Sequence, residues 1–187
     1  YEDLGILSNI PNYTILTPAD AAQTYHAVKM AAKIDGPVYV RAGSGREPDV
    51  YDKETPFGEE GIRILKEYGN DALLLSSGFV LDRVLLAAEL LKSQGINVTV
   101  GDVNILYGKN PSKILEAIAG ARKIVTVEDH NVNGGLGAYI SRLTAENDPK
   151  IVKRIGLSTF GESGPAKELA DAYGFAPEDI AKAVAQL

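Results

Sequence analysis

The chain has 187 residues, of which 45% are hydrophobic, and this is enough apolar material for one sizeable core or for one domain with part of another. Its net charge of −6 argues against nucleic acid or a membrane surface as the main partner, and because no apolar run of membrane-spanning length and no signal peptide is present, we expect a soluble, cytoplasmic protein. With no cysteine and only two histidines, His26 and His130, disulfides and thiol nucleophiles are excluded and a multi-histidine metal site nearly so.

The first 45 residues predict one β-α-β unit. A strand-like run covers residues 13–16, and Thr17-Pro18-Ala19-Asp20 then supplies a capping residue, a proline at the first helical position and an acid in the first turn, so a helix is predicted to begin there. A second strand over residues 38–40 ends at Arg41. The residues that recur on the predicted apolar face of the helix are Ala21, Tyr25, Val28 and Ala32.

The composition changes at residues 43–60, where Gly, Ser, Pro, Asp and Glu dominate and apolar residues show no regular spacing. The stretch is longer than a typical connecting loop of about 4 to 6 residues. We therefore predict a first domain at residues 1–45, a linker at residues 46–60 and a second domain at residues 61–187.

Strands and helices alternate in the second part of the chain. Buried strands are predicted at residues 72–76, 96–100, 124–127 and 151–155. Helices are predicted at residues 80–92, 111–119, 165–173 and 177–187, with a further helix that opens at the glycines after residue 133. This order predicts an α/β fold with a mainly parallel sheet and helices on both faces.

Polarity appears abruptly at the end of the strand at residues 124–127. Glu128, Asp129 and His130 are predicted to lie in a loop, where they could form an acid/base set because alternate residues of an extended segment point to the same side. The alternative is a hydrogen-bonded loop that shapes an interface, and we favour it because the chain shows no partner nucleophile and no cofactor motif. A metal site made of one histidine and loose acids is a third interpretation.

Two further features can be interpreted in functional or structural terms. Arg41, at a strand end, is either a guanidinium fork for a phosphate or carboxylate group or an ordinary surface arginine. Gly134, Gly135 and Gly137 lack the spacing of a phosphate-binding loop, so close packing of the next helix is the better interpretation.

Three motifs in the second part of the chain resemble the C-terminal domain of transketolases. They are Val125-Thr-Val-Glu-Asp-His-Asn-Val-Asn-Gly-Gly-Leu-Gly137, Lys153-Arg-Ile-Gly156 and Phe160-Gly-Glu-Ser-Gly164. The front of the chain, with Leu16-Thr-Pro-Ala-Asp20 and Asp35-Gly-Pro-Val-Tyr-Val-Arg41, is similar to the second half of the pyrimidine-binding domain of the same family. The resemblance covers essentially the whole chain and is nearest to split transketolases, whose C-terminal section is a separate polypeptide.

This resemblance implies an enzyme that moves a two-carbon ketol unit from a ketose phosphate to an aldose phosphate with thiamine diphosphate and Mg²⁺. In the family an N-terminal section holds the diphosphate and its metal, so we expect no catalytic residue, cofactor or metal on this chain, and no activity from it alone. The expected partners are that N-terminal section, a second copy in a homodimer, and sugar phosphates.

For individual residues, the resemblance implies that Arg41 binds the substrate phosphate. The residues expected to have interface or structural roles are Glu128, His130, Asn131, Gly134 and Gly135.

Other assignments stay open at this point. Related thiamine enzymes share the late domain, namely the β subunit of 2-oxoacid dehydrogenases and deoxyxylulose-phosphate synthase. A non-catalytic dimerisation or regulatory binding module is the alternative from another class. Because the chain begins at Tyr1 and has no initiating methionine, we also expect it to be a fragment of a longer protein.

Overall fold

Two β-sheets organise the chain, which the computed structural model describes over residues 1–44 and 47–187. The first part consists of α1 (Asp3–Leu7), β1 (Thr14–Leu16), α2 (Ala21–Ala31) and β2 (Val38–Val40). The second part follows in the order β3 (Arg63–Glu67), β4 (Ala72–Ser77), a 3-10 turn (Gly78–Val80), α3 (Leu81–Ser93), β5 (Val98–Asp102), β6 (Ile105–Leu106), α4 (Ser112–Gly120), β7 (Ile124–Asn131), α5 (Leu136–Asn147), β8 (Val152–Leu157), α6 (Ala166–Ala172) and α7 (Pro177–Ala185).

The large sheet has the strand order β3-β5-β4-β7-β8, and every neighbouring pair is parallel except β3 with β5. The predicted α/β fold with a mainly parallel sheet is therefore confirmed. Strand β3 was not predicted, because its sequence Arg-Ile-Leu-Lys-Glu has neither the continuous apolar run of a central strand nor a clean alternation. It lies at the edge of the sheet, where half-exposed charged residues are tolerated.

The core lies on both faces of this sheet, as predicted. Helices α3 and α7 pack on one face, where Leu74 and Val100 of the sheet meet Leu81. Helices α4 and α5 pack on the other face, where Leu75 meets Ile140. Strand β4 is buried along its whole length, because it lies between two strands and beneath helices on both sides.

The small sheet has the order β2-β1-β6 and draws its strands from both parts of the chain. Thr14 pairs with Val38 in parallel, whereas Ile15 pairs with Leu106 in an antiparallel ladder. Strand β6 was not predicted because two residues carry no periodic signal. The predicted domain boundary falls at Gly45 and Arg46, which lie outside the described residues, and the division into domains stays a prediction.

Helix α2 differs from its prediction in both its start and its buried face. Asp20, and not Thr17, is the N-cap, and its side chain accepts a hydrogen bond from the Gln23 amide. Tyr25 and Val28 are 61% and 54% exposed, so the predicted apolar face was wrong. The helix packs through Gln23 and Ala27 instead, since apolar residues occur around much of its circumference and the pattern alone did not fix which side is buried.

The segment predicted as a linker is packed against both parts of the chain where it is described. Phe57 is buried with Leu16 and Ile105, and the amides of Val50 and Tyr51 donate to the Asp20 carboxylate. Its polar composition predicted irregular backbone, and the described part of the segment contains no helix or strand; the side chains of Tyr51 and Phe57 are nevertheless buried. Among the described helices, none has the length and apolar character needed to cross a membrane.

Candidate functional site

The candidate site is a cluster in which Arg41 joins three separate stretches of the chain. Arg41 follows β2, and its Nε donates to Asp3 Oδ2 at 2.8 Å. Its Nη2 donates to the carbonyl oxygen of Asp129 on β7 at 3.0 Å, and its guanidinium carbon lies 5.3 Å from the ring centre of Phe79, in the turn after β4. We call these four residues the Arg41 cluster. It lies near the carboxyl ends of β4 and β7 in the large sheet and of β2 in the small sheet, and α/β proteins place their functional loops at such strand ends.

The electrostatics of the Arg41 cluster are those of a partly buried ion pair. Burial alone would raise the pKa of Asp3, but the hydrogen bond and charge of Arg41 outweigh this effect and hold the pKa below its ordinary value. Burial raises the pKa of Asp129, against the lowering effect of the same guanidinium. The Arg41 side chain is 13% exposed, and its Nη1 approaches Asp129 Oδ2 only to 4.0 Å. Nη1 is therefore the part of the fork most available to an added anion.

Glu128 lies near this cluster, and its carboxylate is hydrogen-bonded to helix α5. Strand β7 continues to Asn131, so the prediction of a loop beginning at Glu128 was wrong. The buried carboxylate accepts hydrogen bonds from the amides of Leu136 at 2.5 Å and Gly137 at 2.8 Å. It thus occupies the positive end of α5 and satisfies two amides that have no partner inside the helix. Burial, opposed by these hydrogen bonds, raises its pKa to about 7.

The glycines that follow β7 allow this arrangement. A Cβ atom at Gly135 would lie 1.9 Å from Glu128 Oε2 and 2.7 Å from His130 Nδ1. A Cβ atom at Gly134 would lie 2.5 Å from the Cα atom of Gly5 in α1. None of these three distances occurs between a real Cβ atom and a non-bonded neighbour, so this arrangement of the corner leaves no room for a side chain at either position.

His130 connects β7 to the start of the chain. Its Nε2 accepts a hydrogen bond from the Leu4 amide at 3.1 Å, and its Nδ1 lies 2.8 Å from the Asn131 carbonyl oxygen, to which it donates. Burial lowers the pKa of this imidazole. Because both ring nitrogens are engaged by backbone groups, His130 and Glu128 form no acid/base pair. The backbone amide of Asn131 donates to the Tyr1 carbonyl oxygen at 2.9 Å, which adds a second connection to the same segment.

The other candidate ligands are dispersed. His26 Nε2 lies 2.8 Å from the Lys53 carbonyl oxygen, far in the chain from His130. Within residues 1–44 and 47–187, no group of three or more His, Cys, Asp or Glu side chains is arranged to hold a metal ion.

A second buried carboxyl group was not recognised from the sequence. Asp102, at the end of β5, is 1% exposed, and its Oδ2 accepts a hydrogen bond from the Tyr51 hydroxyl at 2.7 Å. Its Oδ1 has no hydrogen-bond partner among the described residues. Burial raises the pKa of Asp102 to about 7 and also raises that of Tyr51. No signal pointed to this pair, because its members lie 51 residues apart and Tyr51 belongs to a segment without periodicity.

Known proteins resemble this chain in sequence and in fold. Residues 60–180 match the family model described as transketolase, C-terminal domain. A protein of Methanocaldococcus jannaschii described as a transketolase C-terminal section is 34% identical over 98% of this chain and 58% of its own length. The 6-deoxy-6-sulfo-D-fructose transketolase subunit SqwH of a Clostridium species is 34% identical over 97% of this chain and 56% of its own length.

A solved structure gives the same result for the fold. It is described as a split gene transketolase, inactive β4 tetramer, and it superposes with a TM-score of 0.92 at 32% identity, over 99% of this chain and 61% of that chain. The chain thus spans little more than half the length of these matched proteins.

Proposed function

The chain belongs to the transketolase family, and from this premise we propose that it is a C-terminal section that acts with a separate N-terminal section in ketol transfer. In this proposal the complex moves a two-carbon unit from a ketose phosphate to an aldose phosphate. The observation that carries the proposal is the Arg41 cluster, which holds a guanidinium in place through Asp3 and leaves its Nη1 least engaged, in a chain that is similar to a split gene transketolase over nearly its whole length.

Thiamine diphosphate and Mg²⁺ would supply the carbanion chemistry, and the carboxylates described around Arg41 do not fit the metal. A magnesium ion needs free carboxylate or carbonyl oxygens, whereas Asp3 and Asp129 are engaged by Arg41 and Glu128 is engaged by two helix amides. We therefore assign the cofactor to the N-terminal section and derive no step through it here.

The role we propose for this chain is to hold the substrate by its anionic end. Asp3 fixes the Nε side of Arg41, while Phe79 lies beside the guanidinium plane and limits its movement. A phosphate oxygen that approaches Nη1 would complete a fork already held in place, so little side-chain entropy remains to be lost on binding. The distant phosphate would then orient the reacting end of the sugar.

The role of Arg41 is tested by Arg41→Gln in the complex with the N-terminal section. We expect KM for xylulose 5-phosphate to rise at least tenfold, because a charge-assisted contact to phosphate is worth about 1.5 to 3 kcal/mol. A ketose donor without a phosphate should be used equally well by variant and wild type. Arg122→Gln, which removes an exposed arginine elsewhere, is the matched control. An equal loss with both donors would instead indicate that Arg41 only holds the fold together.

The need for a second section is tested by adding thiamine diphosphate, Mg²⁺, xylulose 5-phosphate and ribose 5-phosphate to the chain alone and to the complex. We expect sedoheptulose 7-phosphate from the complex only. Turnover by the isolated chain would refute this part of the proposal.

The identity of the donor is a separate question. The clostridial relative is named for a sulfonated sugar, and a guanidinium fork accepts a sulfonate as readily as a phosphate. Offering the complex xylulose 5-phosphate, 6-deoxy-6-sulfofructose and pyruvate in parallel would distinguish these substrates. Preference for pyruvate would favour a related thiamine enzyme over a transketolase.

We also propose that two copies of this chain associate as a homodimer and that the corner around His130 supports their association. Sedimentation of His130→Ala should show loss of the dimer with an unchanged fold, and unchanged assembly would contradict this role.

Calorimetric titration of the chain with sugar phosphates and nucleotides tests the non-catalytic alternative, which requires tight binding of a small anion without any partner.

A further inference from the structure

Helices cover one face of the large sheet over only part of its width. Within the described residues, α4 and α5 pack over the side of this face that contains β4 and β7, whereas β3 and β5 carry no helix there. A groove of about 740 Å³ lies between these two strands and α4. We call it the β3–α4 groove, and Ile62, Ile64 and Leu73 lie along it.

The dimensions of this groove suit a helix. Strand β3 has 5 residues, which span about 17 Å, the length of about 11 helical residues. The wall formed by α4 contains the small residues Ala117 and Gly120, and small side chains allow another helix to approach closely. Ile64 is 38% exposed although it lies on the face that elsewhere forms the core. An added apolar side chain would therefore bury surface that now faces solvent.

The charges around the groove indicate which charge a ligand should carry. Glu59, Glu60 and Glu67 line it, and no ion pair is found for any of the three in the described part of the chain. Four carboxylates line the groove against two cations. Lys113 pairs with Glu116 at 2.9 Å, whereas Arg63 donates to the neutral Pro56 carbonyl oxygen at 2.7 Å and keeps its charge. The uncompensated charge along the groove is negative.

We propose that the β3–α4 groove binds a basic amphipathic helix of a partner polypeptide. Its apolar stripe, with residues at i, i+3 or i+4, and i+7, packs on Ile62, Ile64 and Ala117. Its flanking lysines or arginines face Glu59, Glu60 and Glu67. A second copy of this chain fits less well, because each copy carries a net charge of −6. The proposal is independent of ketol transfer, since none of these residues belongs to the Arg41 cluster.

The test uses the full chain and a synthetic labelled helix of about 14 residues with leucines on one stripe and lysines beside it, followed by fluorescence anisotropy. A second peptide keeps the leucines and replaces every lysine with glutamate. We expect the basic peptide to bind at least tenfold more tightly than the acidic one. Equal affinity of the two peptides would overturn the proposal.

Variants then locate the site. Ile64→Lys, which places a cation on the groove floor, and Ala117→Arg, which fills the groove from the α4 side, should each weaken binding of the basic peptide at least tenfold. Glu146→Lys adds two positive charges on the exposed side of α5, one more than either groove variant adds, and should still leave the affinity within twofold of wild type. Unchanged binding by both groove variants, or an equal loss with Glu146→Lys, would overturn the assignment. So would self-association of the wild type that Ile64→Lys abolishes, because the occupant would then be a second copy.

Discussion

Two buried carboxyl groups, Glu128 on β7 and Asp102 on β5, lie on either side of the central strand β4, and the pKa of each is raised to about 7. Their surroundings differ. Both oxygens of Glu128 accept backbone hydrogen bonds from α5, whereas among the residues that the structure describes only one oxygen of Asp102 has a partner, the hydroxyl of Tyr51. A raised pKa by itself therefore does not identify an acid/base catalyst. The partners of the carboxyl group determine whether it anchors a helix or remains a buried group with unmet bonding capacity.

The largest effect is expected where the Glu128 arrangement is blocked sterically. In Gly135→Ala the new Cβ atom would lie 1.9 Å from Glu128 Oε2, so the carboxylate must leave the helix end. Adding the strain of overpacking to the loss of charge-assisted hydrogen bonds, we expect the free energy of unfolding to fall by about 4 kcal/mol. Urea denaturation at pH 7 measures this.

The matched control for that substitution is Gly120→Ala, at the end of α4. A Cβ atom at Gly120 meets no atom within 4 Å, so this variant should stay within about 0.5 kcal/mol of wild type or gain slightly from alanine's helix propensity. Similar small losses of stability at both glycines would mean that the Glu128 carboxylate can move away from Gly135 at little cost. Its hydrogen bonds to α5 would then not distinguish Glu128 from Asp102.

A smaller effect, with a defined pH dependence, is expected at Asp102. Its pKa is raised from 3.8 to about 7 in the folded protein, so the folded state keeps a proton that the unfolded chain releases, and this contribution to stability is lost as the pH rises from about 4 to about 7. Asp102→Asn removes the titration. We therefore expect the free energy of unfolding of wild type to fall by about 3 kcal/mol more than that of the variant when the pH is raised from 4 to 8.

Denaturation curves at several pH values test this expectation, and Glu128→Gln provides the comparison. Glu128 also has a raised pKa, so its replacement should flatten the pH profile too, but with a loss of stability because a neutral amide binds the α5 amides less well. A parallel pH profile for Asp102→Asn and wild type would show that burial does not raise the pKa of Asp102 above that of the unfolded chain.

The smallest effect is expected for Tyr51→Phe. This change removes the hydroxyl that satisfies Asp102 Oδ2 and should cost about 1 kcal/mol near pH 5, where the carboxyl group is protonated and the bond is neutral. Tyr25→Phe, at a site 61% exposed, is the control and should be nearly neutral. If Tyr51→Phe lowers the free energy of unfolding no more than the control does, water must replace the hydroxyl. The surroundings of Asp102 would then be accessible to water.

Much of the fold could be predicted because its signals are local. The central strands are continuous apolar runs and the helices between them carry regular stripes, so alternation alone gave the parallel sheet. Strands β3 and β6 escaped prediction because their pairing partners, and not their own residues, make them strands. The buried face of α2 was assigned wrongly for a related reason, since the sequence cannot show which side of a helix a distant strand will cover.

The site divides along the same line. Arg41 could be singled out because it ends a recognisable strand, and the glycines after β7 could be expected to allow close packing. Asp3 and Phe79 could not be assigned to Arg41, because they are brought to it from other parts of the chain by the fold. The hydrogen bonds from α5 to Glu128 could not be predicted either, because they depend on how α5 is placed relative to β7. The first amide that donates to Glu128 belongs to Leu136, eight residues later in the chain.

The small sheet has a consequence for how the protein holds together when its backbone is interrupted. Strand β1 takes β2 from one side of the connecting segment and β6 from the other, and the buried Phe57 packs beside them. Two polypeptides that divide the chain in this segment would each carry an unfinished sheet and would complement one another by strand pairing. The fraction of folded protein would then depend on the concentrations of the two polypeptides, as it does for any protein reconstituted from fragments.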